Sequence, residues 1–359
     1  MMRLALIIAD ETLSPEEKAD ALYERALLHK DAEHYNDALT DLSMAIDLDP
    51  EFYDAFLRRA ECKEWLVDIP GAMSDYASAI AIDSESAEAY YMRAQLRHLM
   101  QDYQGALDDI NEAINSDPNW YDFFFVRGQA KYGLKDFEGA LADFNRAIKR
   151  NPRYAAAYFE RAETQIELGD PYGALDDYNK AIKMGHDSSI AYASRATLKM
   201  EMGDFRGSVD DSQKALKIDP DNDMAKDAYY TCQTFLGKPE DALPYFEEKV
   251  LKNPTDPKTL VRRAITYSAM DLYSRAYDDY NTLVDLSPDN DEYLRARALC
   301  AAVLDRYQEA LADLNKAIEI NPDDWEHYHW RAEVKSRMGD TVGAEADREK
   351  AASLHFGIT

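Results

Sequence analysis

A period of 34 residues runs through the chain and limits what it can become. With the proline of an NP or DP pair taken as position 32, repeats begin at residues 19, 53, 87, 121, 155, 189, 223, 257, 291 and 325. The ten copies follow one another without insertion or deletion. A fixed period of this length marks a stacked array, in which each unit buries its apolar face against its neighbours. Position 8 is small in nine copies, from Ala26 and Ala60 through Gly128 to Ala332. Position 20 is alanine everywhere except Ser208. Position 27 is usually alanine, and position 24 is often large, as in Tyr76, Phe144, Tyr178, Phe246 and Tyr280. Small residues at fixed spacing let two helices approach closely, and large ones fill the space beside them.

Each copy therefore reads as two antiparallel helices. Helix A spans roughly positions 2 to 14 and helix B roughly positions 18 to 30. Turn signals such as Leu168–Gly169–Asp170 separate them, and the proline stops helix B.

This pattern resembles the tetratricopeptide repeat family, over residues 19 to 358. The resemblance implies an all-α fold, a right-handed α-solenoid superhelix of about ten helix–turn–helix repeats. It also implies a concave groove lined by A helices and a protein or peptide ligand bound there. Some co-chaperones of the family grip an acidic chaperone tail with lysine at position 5 and asparagine at position 9. No repeat here carries either residue there, so that activity is not expected.

Arginine stands at position 7 in nine repeats: Arg25, Arg59, Arg93, Arg127, Arg161, Arg195, Arg263, Arg297 and Arg331. Aspartate stands at position 23 in the same nine: Asp41, Asp75, Asp109, Asp143, Asp177, Asp211, Asp279, Asp313 and Asp347. The seventh repeat lacks both and has Tyr229 and Tyr245. Loss of the two together predicts a pair within each repeat, because a guanidinium fork suits a carboxylate and removing one partner strands the other. The family's common leucine at position 7 is absent, so the array is expected to form a subtype.

The expected organisation has four parts. Residues 1–18 form an N-terminal capping helix and entry, with Ser14 as N-cap and Pro15 at the first helical position. Repeats one to six fill 19–222. Repeat seven, 223–256, is irregular: Lys249 replaces the position-27 alanine, and Pro244 inside helix B suggests a kink. Repeats eight to ten fill 257–359 and end in a polar capping helix.

The formal net charge of -28 argues against nucleic acid, which needs basic patches, and favours a basic partner. No apolar run is long enough for a membrane span, and the start lacks a signal-peptide cleavage site. Cys62, Cys232 and Cys300 lie too far apart in the array to pair. They read as inert buried thiols, which points to a reducing compartment, the cytoplasm, with export without disulfides as the alternative. No phosphate loop, zincin motif or converging acid–base pair is present, and His327 and His329 are spaced to point apart on a helix. No enzyme, cofactor or metal is expected.

The groove remains. Its expected positions in repeats one to six hold twelve acidic residues and two bases, Lys30 and Arg58. Candidate binding residues are Glu61, Glu64, Trp65, Glu88, Tyr91, Asp122, Phe125, Tyr132, Phe159, Glu160, Glu163 and Glu167. Position 5 supplies Tyr91, Phe125 and Phe159 in consecutive repeats. Aromatic anchors among carboxylates suit a segment bearing lysine or arginine. The same rings could instead fill space between neighbouring A helices, and both readings stand. A second candidate patch is Trp325, His329 and Trp330. The chain is expected to be a monomer or weak homodimer, with self-association through repeat ten or the N-terminal helix as the alternative to partner binding.

Overall fold

A computed structural model describes residues 2–357. Among them lie 21 α-helices and no strand. Helix A occupies positions 1–13 and helix B positions 17–30, as in Tyr53–Trp65 and Ile69–Ile82 of repeat two. Both helices start one residue earlier than the sequence suggests. The chain divides into two compact units, one up to Asp187 with repeats one to five and one from Ser188 with the rest. Repeat seven lies inside the second unit.

Three local devices set each helix pair. In six repeats an aspartate at position 16 caps helix B, accepting from the amide of a glycine at position 19: Asp68, Asp102, Asp136, Asp170, Asp204 and Asp340. A β-carbon on those glycines would sit 2.1–2.3 Å from the capping oxygen, which is why the residue is glycine. The turn residue at position 15 is left-handed in every repeat. It is glycine in four and Glu33, Val67, Gln101, Lys135, Asp271 or Asp305 in the others. Ser14 caps the first long helix in a capping box with Glu17, and Pro15 follows it.

In the first unit, apolar clusters join the helices of one repeat to helix A of the next. Leu22, Leu42 and Ala45 pack with Ala55 and Cys62, and Ile8 of the Met2–Ala9 helix rests on the same cluster. The second unit is built alike, with Leu260, Ala264 and Leu283 packed with Cys300.

The position-7 arginines bind the two helices of a repeat together. In all nine repeats that carry the pair, Nε and Nη2 donate to the two oxygens of the position-23 aspartate at 2.5–2.9 Å. Those aspartates are 0–8% exposed. A second cation from position 11 reaches the same carboxylate in five repeats: Lys63, Arg97, Lys131, Lys199 and Lys335, at 2.6–3.0 Å. The remaining guanidinium nitrogen often reaches back to position 25 of the preceding repeat. Arg127 bonds Asn111, Arg297 bonds Asn281 and Arg331 bonds Asn315, at 2.8–3.1 Å. One side chain thus ties helix A to its own helix B and to the repeat before it.

Repeat seven reverses the polarity of this arrangement. Its acid is on helix A, Asp227. It accepts from Tyr245 Oη at 2.7 Å, from Lys249 Nζ at 2.5 Å and from Arg262 of repeat eight at 2.5 Å. Tyr245 and Lys249, two of the helix-B departures from the repeat, are thus two of its three donors. Helix B runs unbroken from Pro239 to Lys252 with Pro244 exposed in its second turn. The proline removes one donor without ending the helix.

Two outcomes follow from these devices. Val67 is a β-branched residue held at φ 62°, where L-residues other than glycine are strained; Val67→Gly should raise the unfolding midpoint in denaturant by an amount equivalent to about 1 kcal/mol. Asp143→Asn leaves Arg127 and Lys131 facing a neutral group and should cost about 3 kcal/mol or more. Burial pushes the Asp143 carboxyl up most strongly, but hydrogen bonds from Arg127 and Lys131 bring it below 3.8 overall. Its stabilisation is therefore complete above pH ~4 and is lost as pH falls through the lower folded value. Acid unfolding curves of the wild type and the variant should converge at low pH.

Candidate partner-binding groove

The A helices of the first unit carry the candidate residues. Helix Tyr53–Trp65 supplies Glu61, Glu64 and Trp65, and helix Ala87–Leu99 supplies Glu88 and Tyr91. Helix Tyr121–Gly133 supplies Asp122, Phe125 and Tyr132, and helix Ala155–Glu167 supplies Phe159, Glu160, Glu163 and Glu167. A cavity of about 450 Å³ is lined by Lys30, Glu61, Glu64, Trp65, Met92 and Gln95. A second, of about 350 Å³, is lined by Glu64, Gln95, Leu96, His98, Leu99, Val126 and Gln129. Glu64 and Gln95 belong to both, so the two cavities adjoin.

The charges in this row are not equivalent. Lys30 and Arg58 both bond Glu61, and Arg58 also reaches Glu88 at 3.0 Å. The two bases of the row are thereby committed to two of its acids. Among the described residues Glu64 has no cation of its own, and it accepts from the phenol of buried Tyr76. Burial pushes the Glu64 carboxyl up, the Tyr76 bond pulls it down, and Glu61 adds to the rise; the balance lies above the ordinary value. Glu160 behaves alike: burial raises it, Gln129 at 3.1 Å opposes this, and Glu163 adds to the rise. Glu163 accepts from Tyr178 at 2.6 Å. The Tyr132 phenol is pushed up by burial and then by the charges of Glu167, Glu163 and Glu160.

The aromatic residues divide into two kinds. Trp65 is 67% exposed and stacks flat on Tyr35 at 5.6 Å. It offers its outer face to solvent. The three position-5 rings are half-buried, and each rests on an aromatic side chain at the entry to the next repeat. Tyr91 meets Trp120 at 5.5 Å, Phe125 meets Tyr154 at 4.8 Å, and Phe159 meets His186 at 4.8 Å. Tyr91 also meets Phe123 of the next repeat at 5.2 Å, and Phe125 packs in the cluster that contains Ala157 of the next repeat, whereas Phe159 meets Tyr178 of its own repeat at 5.6 Å; the three rings do not stack on one another. Burial, followed by Asp122, pushes the Tyr91 phenol up to about 12.

Tetratricopeptide repeat models match residues 87–119, 125–189, 190–222, 291–324 and 314–346, together more than half of the chain. The chain belongs to the tetratricopeptide repeat family. No curated protein matches it. Among solved structures it is similar to pilF of Pseudomonas aeruginosa, at 18% identity over 59% of this chain and 96% of that one, with a TM-score of 0.53. It is similar to the APC/C hetero-tetramer Cut9–Hcn1 at 13% identity, over 89% of this chain and 77% of that one, with a TM-score of 0.55. A tetratricopeptide repeat protein from Parabacteroides merdae matches at 18% identity over 66% and 93%, with a TM-score of 0.51. At these identities the likeness concerns the fold. Tetratricopeptide repeat proteins are generally non-catalytic scaffolds that bind other proteins. Among the described residues no helix is long and apolar enough to cross a membrane.

In the last tetratricopeptide repeat the second candidate patch separates. Trp330 packs half-buried against the cluster of Ala298, Leu314 and Val334. Trp325 faces His355 at 4.5 Å and His329 at 5.9 Å. With Arg348, Ala351 and Phe356 they line a shallow hollow of about 280 Å³. His327, absent from the sequence-based patch, is fully buried and bonds Asp291 at 2.9 Å. Its burial comes from its place at the junction of two A helices, which a single repeat does not disclose. Asp291, Asp324 and His327 lie close enough to share a cation, as do His29, His34 and Asp37. In the first group Asn321 already bonds Asp291 at 3.0 Å and Arg295 already bonds Asp324 at 3.1 Å, so both carboxylates have partners, while His327 Nδ1 is buried without one among the described residues.

The two kinds of ring should respond differently to truncation. Phe125→Ala opens a cavity between repeats and should cost about 2–3 kcal/mol. Trp65→Ala, at a mostly exposed ring, should cost less than about 1 kcal/mol. Denaturant unfolding of both variants checks the contrast.

Proposed function

We propose that the groove of the first unit holds a polypeptide segment bearing lysine or arginine beside apolar anchors. The observation that carries this reading is the meeting of two cavities at Glu64, a half-buried carboxylate without a cation, next to the exposed face of Trp65. A cationic side chain from the partner supplies the charge that Glu64 lacks. Trp65, Met92 and the exposed Leu99 receive its apolar groups. Glu160, Glu163 and Glu167 continue the acidic row, with Tyr132 among them. The helices are already stacked, so the cost of ordering on binding falls mainly on the partner, and the acidic field speeds encounter with a basic one.

Self-association through repeat ten is a second reading. It is favoured by the hollow beside Trp325 and by Phe356, which is 69% exposed. The protein is further proposed to work in a reducing compartment such as the cytoplasm. Its three cysteines are buried and unpaired, and burial pushes the Cys62 and Cys300 thiols up to about 11.

Affinity capture with wild type, Trp65→Ala and Glu64→Gln at low and moderate salt tests the groove reading. Partners bound there should fall about tenfold with either variant, as expected for one charged hydrogen bond or one anchor, and should weaken with salt. Equal capture by all three proteins sinks the proposal. Acid should also weaken binding, because burial raises the Glu64 and Glu160 carboxyls above their ordinary value, so that they protonate before an exposed glutamate does. The stability effect of these two groups has the opposite sign. Their raised folded values stabilise the fold as pH falls through that window, so capture should be lost while the protein stays folded.

A further inference from the structure

Repeat seven departs from the other nine at several positions, and four of the substituted side chains line one cavity. In six repeats position 4 is an aromatic ring: Phe56, Tyr90, Phe124, Tyr158, Tyr192 and Tyr328; in three it is leucine. Each of the six rings lies beneath the position-7 guanidinium at 5.3–5.7 Å. In four of them a cation from position 26 or 30 of helix B closes over the ring as well. Arg150 lies 4.2 Å from Phe124, Lys180 5.7 Å from Tyr158, Lys214 5.6 Å from Tyr192 and Lys350 6.0 Å from Tyr328. An aromatic ring between cations is thus a recurring part of the array.

In repeat seven position 4 is Lys226, and a tyrosine, Tyr230, stands at the normally small position 8. Between helices Asp223–Phe235 and Pro239–Lys252 lies a cavity of about 460 Å³. Its lining includes Lys226, Tyr230, Tyr245, Lys249 and Lys252, with Asn253 and Thr259 at the edge. Positions 26 and 30 bound it, the same two that carry cations over the rings of other repeats. Tyr230 and Tyr245 stack at 4.4 Å and 20° to form one wall, and Lys249 lies 5.5 Å over Tyr245. The volume is in the range of small-ligand sites.

The lining is no simple anion site. Carboxylates of Asp223, Glu248 and Asp256 share it with the three lysines. Glu248 bonds Lys252 at 2.7 Å, and Lys249 is held by Asp227. A neutral, polarisable ring fits this balance better than a phosphate does.

We infer that this cavity receives an aromatic, phenol-like ring from outside the chain, in the place that a position-4 ring takes in six other repeats. Lysine ammoniums face the ring, the tyrosine pair packs against it, and Asn253 and Thr259 are placed for its polar end. The ring can come from a tyrosine side chain of a partner or from a small aromatic molecule; the recognition chemistry is shared. The inference does not depend on the groove of the first unit.

The test is titration of the full chain with p-cresol, followed by saturation-transfer NMR. Wild type should bind with a millimolar Kd, as expected for a ligand of this size. Lys226→Tyr restores the position-4 ring and should weaken binding at least tenfold while raising the unfolding midpoint. Lys249→Met keeps the volume, leaves Tyr245 and Arg262 on Asp227, and should weaken binding about threefold. A far-ultraviolet dichroism spectrum like that of wild type shows that each variant is folded. A parallel titration with N-acetyl-tyrosinamide separates the sources: tighter binding than p-cresol points to a partner's tyrosine, weaker binding to a free aromatic molecule. Equal p-cresol affinity in wild type and Lys226→Tyr, or no saturation transfer at about 10 mM ligand, overturns the inference.

Discussion

The bidentate contact between a helix-A arginine and a helix-B aspartate holds the array in order. A carboxylate as buried as Asp143 would be costly alone. Arg127 supplies two hydrogen bonds and a charge, and Lys131, one helical turn on, supplies another. Such a network is strong only when every member is present. Because the third nitrogen of the same guanidinium reaches the preceding repeat, the pairing within a repeat and the stacking between repeats share a part. The alanines at positions 8, 20 and 27 then need only allow close approach. They supply little specificity, whereas the arginine fixes which faces meet.

This division of labour explains how much could be read from the sequence. Period, helix pairs and the Arg–Asp pairing were legible because each is a property of one repeat read ten times. The joint absence of both partners in repeat seven was informative for the same reason. What escaped were relations that cross from one repeat to the next or that occur once. The second cation at position 11 varies between lysine and arginine and is missing in half of the repeats. Asp227 is one acid among many until its three donors are seen together. The position-5 rings could be read as anchors or as packing. Only the neighbours Trp120, Tyr154 and His186 disclose that each ring rests on the entry to the next repeat. Trp65 and Glu64 were legible as types, but the cavities that make them a pair come from the spacing of adjacent helices.

The groove shows how an acidic surface becomes selective. Its carboxylates fall into two kinds: Glu61 and Glu88 share the two bases, whereas Glu64, Glu160 and Glu163 accept only from a neutral phenol or amide. The charge without a cation therefore sits at particular points of the row. A partner would therefore be recognised by where its cations fall relative to apolar groups, and less by its total charge.

Reversed polarity in repeat seven bears on how the chain finds its own order. Nine helix pairs joined by the same two residues are nearly interchangeable, and a folding chain of such units can match helix A of one with helix B of another. Helix Asp223–Phe235 cannot be matched that way. It offers Asp227 and no arginine, so any other helix B would set aspartate against aspartate. Its true companion, with Tyr245 and Lys249, would in turn meet an arginine if joined elsewhere. One pair of helices in the second unit thus fits no other, and an array of like parts carries a fixed point from which its sequence of neighbours can be counted.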